Sequence, residues 1–274
     1  MEPNNEEYIS YRLPVNSEFS EVFSHFYFAE NRSSSPLTKI LLPSFQTIMV
    51  FSFGVNALFN SNQGTSIEIN KCIVLGPIKA AFNYTLPPKA EILVVNFKAD
   101  SFYRFFGKAS MSDQLRFNPD DAVAGNCFTA LWHELNAIET VSEKVSCLLD
   151  YCRPFLRSQD ANASLFSNFE SDSKSIIKSI AGKTGQSERN VQLIHKKYFG
   201  YSAQERNKYL RFLKAIEFIQ VTLLSNMKVN WFEVIDKCDY YDQSQLIHDF
   251  KYFINLSPKN YLKFQQHICQ VITE

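Results

Sequence analysis

The sequence predicts a two-domain α+β protein, β-rich in its N-terminal half and all-helical towards its C-terminus. Three observations carry this reading. Short runs of aromatic and β-branched residues, separated by Gly, Asn, Ser and Pro clusters, fill 21–98 and give way to helical spacing at Ala99. Charge divides along the chain as well: residues 1–171 hold 13 Lys+Arg against 18 Asp+Glu, or −5, while residues 172–274 hold 15 against 10, or +5. The basic part also repeats one plan of cap, core and helix stop at an offset of 55 residues.

With 274 residues, 45% of them apolar, the chain is long enough for two ordinary domains and too apolar for extensive disorder. Its 25 Phe and 13 Tyr supply large cores but no chemistry by themselves. The positive part of a chain with zero net charge suits a partner with a phosphate backbone, although solvated basic surfaces are common. The six cysteines (Cys72, Cys127, Cys147, Cys152, Cys238, Cys269) include no CxxC pair and read as reduced, mostly buried thiols. The opening MEPNNEEYISYR lacks the basic region and apolar core of a signal peptide, and no uncharged apolar run approaches a membrane span. The expectation is a soluble cytoplasmic protein with no membrane partner.

Residues 1–20 read as a loose lead-in or first strand. Strands are then predicted within Val22–Phe28, Phe45–Phe53, Ser66–Gly76, Lys79–Leu86 and Ala90–Lys98, with a loop at Asn31–Pro36. Short strands at this spacing make an antiparallel sandwich or small barrel. From Ala99 a short helix follows, with Asp100 as its cap and Gly107 as its stop. Met111–Gly125 is polar and irregular. Two further helices are predicted near Cys127–Ile138 and Val141–Leu156. The second has an apolar face of Val145, Leu148, Leu149, Cys152 and Leu156, which suits either the sheet's own core or a dimer contact. Ser158–Ser173 reads as the linker, with Leu165 and Phe169 as anchors. The predicted domains are therefore 1–157, β-rich with trailing helices, and 174–274, separated by a linker at 158–173.

The C-terminal domain begins with a helix burying Ile176, Ile177, Ile180 and Ala181. Gly185 supplies a turn, and Ser187 caps a helix that runs to Phe199 and stops at Gly200. One long helix without Pro or Gly is predicted from about Ala203 to Leu224. Trp231, Val234, Ile235 and Cys238 then mark another short amphipathic helix. After a polar break, Asp242 caps a second one, with Gln245 completing a capping box. Leu246, Phe250 and Phe253 form its apolar stripe, Asn255 is its left-handed stop, and Ser257-Pro258 starts the next element. Two short helices joined by a tight turn are the sequence form of a helix-turn-helix, whose second helix faces DNA.

A shift of 55 residues aligns Ser187 with Asp242, Val191 with Leu246, Lys196 with Lys251, Phe199 with Ile254, Gly200 with Asn255 and Ser202 with Ser257. Two readers joined by the long helix would lie about 30 Å apart, near the pitch of one DNA turn.

The segment YYDQSQLIHDFKYFINLSPKNYLKF resembles the C-terminal domain of the AraC/XylS family of bacterial transcription regulators. The resemblance rests on Tyr240, Asp242–Ser244, Phe250-Lys251, Ser257-Pro258 and Tyr261. The first unit adds Ala181, Gly185, Ser187, Arg189, Gly200 and the following RFLKAIEF, so that it covers about residues 172–265. It implies two helix-turn-helix units whose recognition helices enter adjacent major grooves of double-stranded DNA. The first reader would use Arg189, Gln192, Leu193 and Lys196, the second Gln243, Ser244, Ile247 and His248. Arg189 suits a guanine edge, and Gln192 and Gln243 an adenine edge; Leu193 and Ile247 suit a thymine methyl, and His248 a base acceptor or phosphate. Lys196 and Lys251 suit the phosphate backbone. The alternatives are solvated helix surface for the polar positions and packing against its own domain for Leu193.

Departures from the family pattern are Leu193, where Arg is common, His195 in place of Phe at a buried position, and Asp239 and Asn255 in place of Gly. The N-terminal half resembles the cupin-like sensory domains of such regulators in coarse pattern and position. That implies a sandwich or barrel that binds a small-molecule effector or forms a homodimer, and an activator of this kind would also engage RNA polymerase. Filled core is the default reading of its Phe residues. No enzyme activity, metal or cofactor is expected, because His25, His133, His195, His248 and His267 are dispersed and no nucleophile or phosphate-loop motif is present. The pair Asp120-Asp121 reads as surface. The competing class is a ligand-binding or scaffold protein whose basic domain has lost DNA specificity.

Overall fold

The computed structural model describes residues 7–60, 66–106, 116–121, 127–155, 158, 161–167 and 176–271. The chain divides into two compact units, residues 1–202 and 203–274. The first unit therefore holds the β-rich part together with the first pair of short helices.

Among the described residues, ten strands form two antiparallel sheets. They are β1 (Tyr8–Leu13), β2 (Phe23–Asn31), β3 (Leu37–Leu41), β4 (Ile48–Gly54), β5 (Ala57–Asn60), β6 (Ser66–Ile69), β7 (Cys72–Leu75), β8 (Phe82–Leu86), β9 (Ala90–Phe97) and β10 (Arg116–Phe117). One sheet has the order β1-β2-β9-β4-β7-β10 and the other β3-β8-β5-β6. The predicted strand Ser66–Gly76 is in fact two, because the chain turns at Asn70-Lys71 and passes from one sheet to the other. The lead-in resolves as the edge strand β1, paired along its length with β2.

Successive strand residues face opposite ways, and here both directions are apolar. On β4 and β9, Ile48, Val50, Ile92 and Val94 join a core with Ala57, Phe59, Ile67, Phe82 and Leu86 of the opposing sheet. Met49, Phe51, Leu93, Val95 and Phe97 point the other way, into a second core with Phe102, Phe128, Leu131, Leu148 and Leu149. The apolar runs Ile48–Phe51 of β4 and Ile92–Val95 of β9 follow from this burial on both faces.

The second core is closed by α1 (Ser101–Phe106), α2 (Cys127–Ala137) and α3 (Val141–Cys152). Val145, Leu148, Leu149 and Cys152 of α3 belong to this core, so their stripe completes the sheet's packing and is not left as a dimer face. Asp120 caps α2: its Oδ1 accepts the Phe128 N–H at 2.7 Å, and its Oδ2 accepts the Thr129 N–H at 3.1 Å and hydroxyl at 2.7 Å. Lys144 is buried and donates to the Leu135 and Ile138 carbonyls, both at 2.6 Å, closing the other end of that helix. Gly107, Leu156 and Phe169 lie outside the described residues. Within the predicted linker, α4 (Ala161–Ser167) is helical and its buried anchor is Phe166, with Leu165 half-buried.

The remaining helices are α5 (Ile176–Thr184), α6 (Glu188–Phe199), α7 (Ala203–Leu224), α8 (Trp231–Lys237), α9 (Gln243–Ile254) and α10 (Pro258–Val271). The second unit packs Tyr209 and Phe212 of α7 against Phe250 and Phe253 of α9, with Phe212 and Phe253 ring centroids 4.7 Å apart.

Candidate nucleic-acid interface

Both predicted helix-turn-helix units form, and their boundaries repeat. The starts of α5, α6 and α7 at 176, 188 and 203 recur 55 residues later as the starts of α8, α9 and α10 at 231, 243 and 258. Ser187 and Asp242 are both N-caps, accepting from the N–H groups of Asn190 at 3.3 Å and Gln245 at 2.7 Å. The Gln245 side chain reaches back as predicted, but to the Tyr241 N–H at 2.9 Å, one residue before the cap. Gly200 and Asn255 both end their helices in the left-handed conformation, each N–H returning to a lysine carbonyl, Lys196 or Lys251. The turns differ by one residue, with the left-handed position at Gly185 in one and at Asp239 in the other.

Within each unit this geometry sorts the recognition helix into two faces. On α6, Val191, His195, Tyr198 and Phe199 are buried, while Arg189, Gln192, Leu193 and Lys196 are exposed on the opposite side. Leu193 is 61% exposed, so it does not pack against its own domain. On α9, Leu246, Asp249, Phe250 and Phe253 are buried, whereas Gln243, Ser244, His248 and Lys251 are exposed and Ile247 is half-buried. Each set recurs at three- and four-residue intervals, so its members share one helical face. A row of donors and methyl-bearing side chains on an exposed helix face can meet base edges and phosphates.

The unusual positions are accommodated. His195 is buried, stacks on Phe199 at 4.8 Å and has Nδ1 2.9 Å from the Tyr201 carbonyl. A carbonyl only accepts, so Nδ1 carries the proton and the histidine ties the recognition helix to the residue after its stop. Phe166 of α4 meets the same ring edge-on at 5.0 Å. Asp239 adopts φ 60° and offers its carboxylate to Lys214 of α7 at 2.8 Å.

A feature absent from the sequence reading lies behind α9. Asp249 is 1% exposed, and its Oδ2 accepts from Arg211 Nη2 at 2.7 Å and Nε at 3.2 Å. Arg211 also lies over the Tyr240 ring at 4.7 Å, where burial pushes the Tyr240 phenol up. The signal was available, since a charged residue interrupts the apolar stripe between Leu246 and Phe253.

In the β-rich part, Tyr8, Tyr27 and Tyr84 bring their hydroxyls together, at 3.0, 3.3 and 3.4 Å, across the two sheets. An enclosed cavity lined by Met49, Phe97, Phe106 and Phe128, among others, has a volume of about 20 Å³, room for roughly one water. The surroundings of that cavity are core, as the sequence default had it. Among the described residues no group of three His, Cys, Asp or Glu side chains is arranged to hold a metal ion, and no helix is long and apolar enough to cross a membrane.

No protein-family model matches the chain, and no curated protein matches it by sequence. Among solved structures it is similar to ToxT from Vibrio cholerae, at 16% identity and a TM-score of 0.41, covering 86% of this chain and 97% of that one. It is similar as well to unsaturated-fatty-acid-bound wild-type ToxT from the same organism, at 12% identity and a TM-score of 0.36, covering 96% and 97%. A cupin domain from Bordetella pertussis, at 12% identity and a TM-score of 0.27, covers 34% of this chain and 94% of its own. At such scores no residue role is carried across.

Proposed function

We propose that the chain is a sequence-specific, DNA-binding transcription regulator of the AraC/XylS type, reading adjacent major grooves with α6 and α9. The observation that carries this reading is the repeat: two outward, polar helices, each fixed by an N-cap and a left-handed stop, recur at one offset in the basic part of the chain. Arg189, Gln192, Leu193 and Lys196 form the first reading face. Gln243, Ser244, Ile247, His248 and Lys251 form the second. The 22-residue α7 between them in sequence is about 33 Å long, close to the roughly 34–36 Å of one DNA turn. The working module on this reading is 174–274, which takes its first reader from the first compact unit. The β-rich part would serve as the partner for a small-molecule effector or a second copy.

The test uses the full-length chain. Duplexes are selected from a randomised pool and then competed against scrambled DNA at fixed salt. Preference for the selected sequence is expected; equal affinity for both rejects specific recognition in favour of a module that has lost it. Gln243→Ala is expected to change the base preferred at one position, and Lys251→Ala to weaken all duplexes alike and flatten the salt dependence. Ligand-dependent changes in the selected sites would report an effector separately.

A further inference from the structure

We infer that Asp249 is a positioning residue for His248, holding its Nδ1–H from behind so that the imidazole meets DNA as a cation through Nε2. The inference rests on α9 being a DNA reader.

The geometry is that of a carboxylate with one oxygen spoken for and one in reserve. Arg211 places two donors on Oδ2. Oδ1 is buried and has no hydrogen-bond partner, although Lys208 Nζ lies 3.5 Å away. His248 Nδ1 stands 3.8 Å from that same oxygen, while the histidine side chain is 72% exposed. A buried carboxylate oxygen without a donor is unfavourable. Closing the gap to hydrogen-bond range needs an approach of about 1 Å.

That bond decides what the outer nitrogen can do. With Nδ1–H committed to Asp249, a neutral imidazole presents Nε2 as an acceptor. Phosphate oxygens and the guanine O6 and N7 atoms accept hydrogen bonds and cannot donate. For Nε2 to engage them it must be protonated, which makes the ring an imidazolium held between the carboxylate and the nucleic acid. A histidine free to choose its tautomer would need no extra proton. Other charged and titratable groups on the neighbouring elements include Lys251 and Tyr252 on α9, Lys208 and Arg211 on α7, and Tyr240 in the preceding turn, with Lys214 of α7 paired to Asp239. On α8, Glu233 and Lys237 pair with each other at 3.5 Å, and Tyr261 of α10 packs on Phe250. In the free chain Asp249 is already shared by Arg211 and Lys208, so the duplex is the anion that shifts the balance.

The sign follows directly. Proton uptake on binding means affinity falls as pH rises, by up to about ten-fold per pH unit. Binding of the full-length chain to its selected duplex is measured by fluorescence anisotropy from pH 5.5 to 8.5 at constant ionic strength. Wild type is expected to show this fall. H248Q is expected to bind with a flat profile. D249N, whose side-chain oxygen still accepts from Arg211, is expected to bind near wild type at pH 6 with a shallower slope. In wild type, ¹⁵N shifts of the His248 ring are expected to report both nitrogens protonated in the complex at pH 7. A wild-type slope in H248Q, a D249N profile parallel to wild type, or a neutral ring in the complex overturns the inference and leaves DNA reading intact. Absence of selective binding at every pH removes the reader itself, and this inference with it.

Discussion

The ring of Phe45 meets the ring of Tyr201 edge-on, with centroids 5.0 Å apart and planes at 72°. Phe45 precedes β4, and Tyr201 follows the Gly200 stop of the first recognition helix. Tyr103 of α1 meets Tyr198 in the same manner at 4.6 Å, and Lys197 lies over the Tyr103 ring at 5.6 Å. Within the first compact unit, then, the base of α6 is seated on the β-rich part through aromatic contacts. These contacts tie α6 directly to the β-rich part.

Phe45 holds this contact at φ 55°, a conformation that a residue with a Cβ resists. Its ring is 8% exposed, so truncation is expected to destabilise by about 3–5 kcal/mol. Glycine loses the same ring but not the backbone penalty. Phe45→Gly is therefore expected to be more stable than Phe45→Ala by about 0.5–1 kcal/mol, the reverse of the usual order. Urea unfolding of the two variants decides it; a more stable alanine variant would mean the loop relaxes once the ring is gone.

The two left-handed positions of the second helix-turn-helix give a milder version of the same effect. Asn255 at φ 57° tolerates its conformation, and Asp239 at φ 60° gains only an exposed ion pair with Lys214. Such a pair contributes about 0–1 kcal/mol. Asn255→Gly and Asp239→Gly are each expected to raise stability by about 0.5 kcal/mol, read as a small rise in melting temperature. A fall of more than about 1 kcal/mol for Asp239→Gly would show that its carboxylate holds the turn beyond the ordinary worth of an exposed pair.

The Arg211–Asp249 pair makes a sharper claim. Removing the cation strands a carboxylate that is 1% exposed, so Arg211→Met is expected to destabilise by about 3–5 kcal/mol. Arg211→Met combined with Asp249→Leu is expected to recover most of that loss, because neither side chain then buries an unpaired charge. A double mutant no more stable than Arg211→Met would mean that packing around Tyr240, and not charge, sets the penalty.

What was legible in the sequence follows from the range of the interactions involved. Caps, stops and apolar stripes are local, so Ser187, Gly200, Asp242 and Asn255 and the helices between them were readable, as was the exposed face carrying Arg189 and Gln243. The sheet was harder. Ser66–Gly76 looks like one strand because Ile67, Ile69, Ile73, Val74 and Leu75 on either side of Asn70-Lys71 are all buried, and only pairing partners distant in sequence separate β6 from β7. The seat of α6 on Phe45, the Asp249–Arg211 pair and the tyrosine cluster each join residues 19 or more positions apart. In the stretch read as a linker, Leu165 and Phe169 are the expected anchors; among its described residues Leu165 is half-buried while Ala163 and Phe166 are buried. Of the long-range contacts only Asp249 left a local trace, as the charged break in the apolar stripe of α9.

The tyrosine cluster itself makes stability sensitive to alkali. Tyr84 is 6% exposed, and burial together with the neighbouring Tyr27 and Tyr8 hydroxyls pushes its phenol far above the ordinary value. Tyr8 is raised as well, first by burial and then by Tyr27. An unfolded chain ionises these phenols near pH ~10, while the folded chain keeps them protonated. Above that pH the unfolded state binds fewer protons, so stability falls as pH rises, by up to about 1.4 kcal/mol per unit for Tyr84 alone. Tyr84→Phe removes the ionisable group but also hydrogen bonds that contribute about 1 kcal/mol. It is expected to be less stable than wild type at pH 8 and to lose stability more slowly above pH 10, so the two curves converge. Denaturant midpoints measured from pH 8 to 11 test this, and parallel curves would place the alkaline sensitivity outside the cluster.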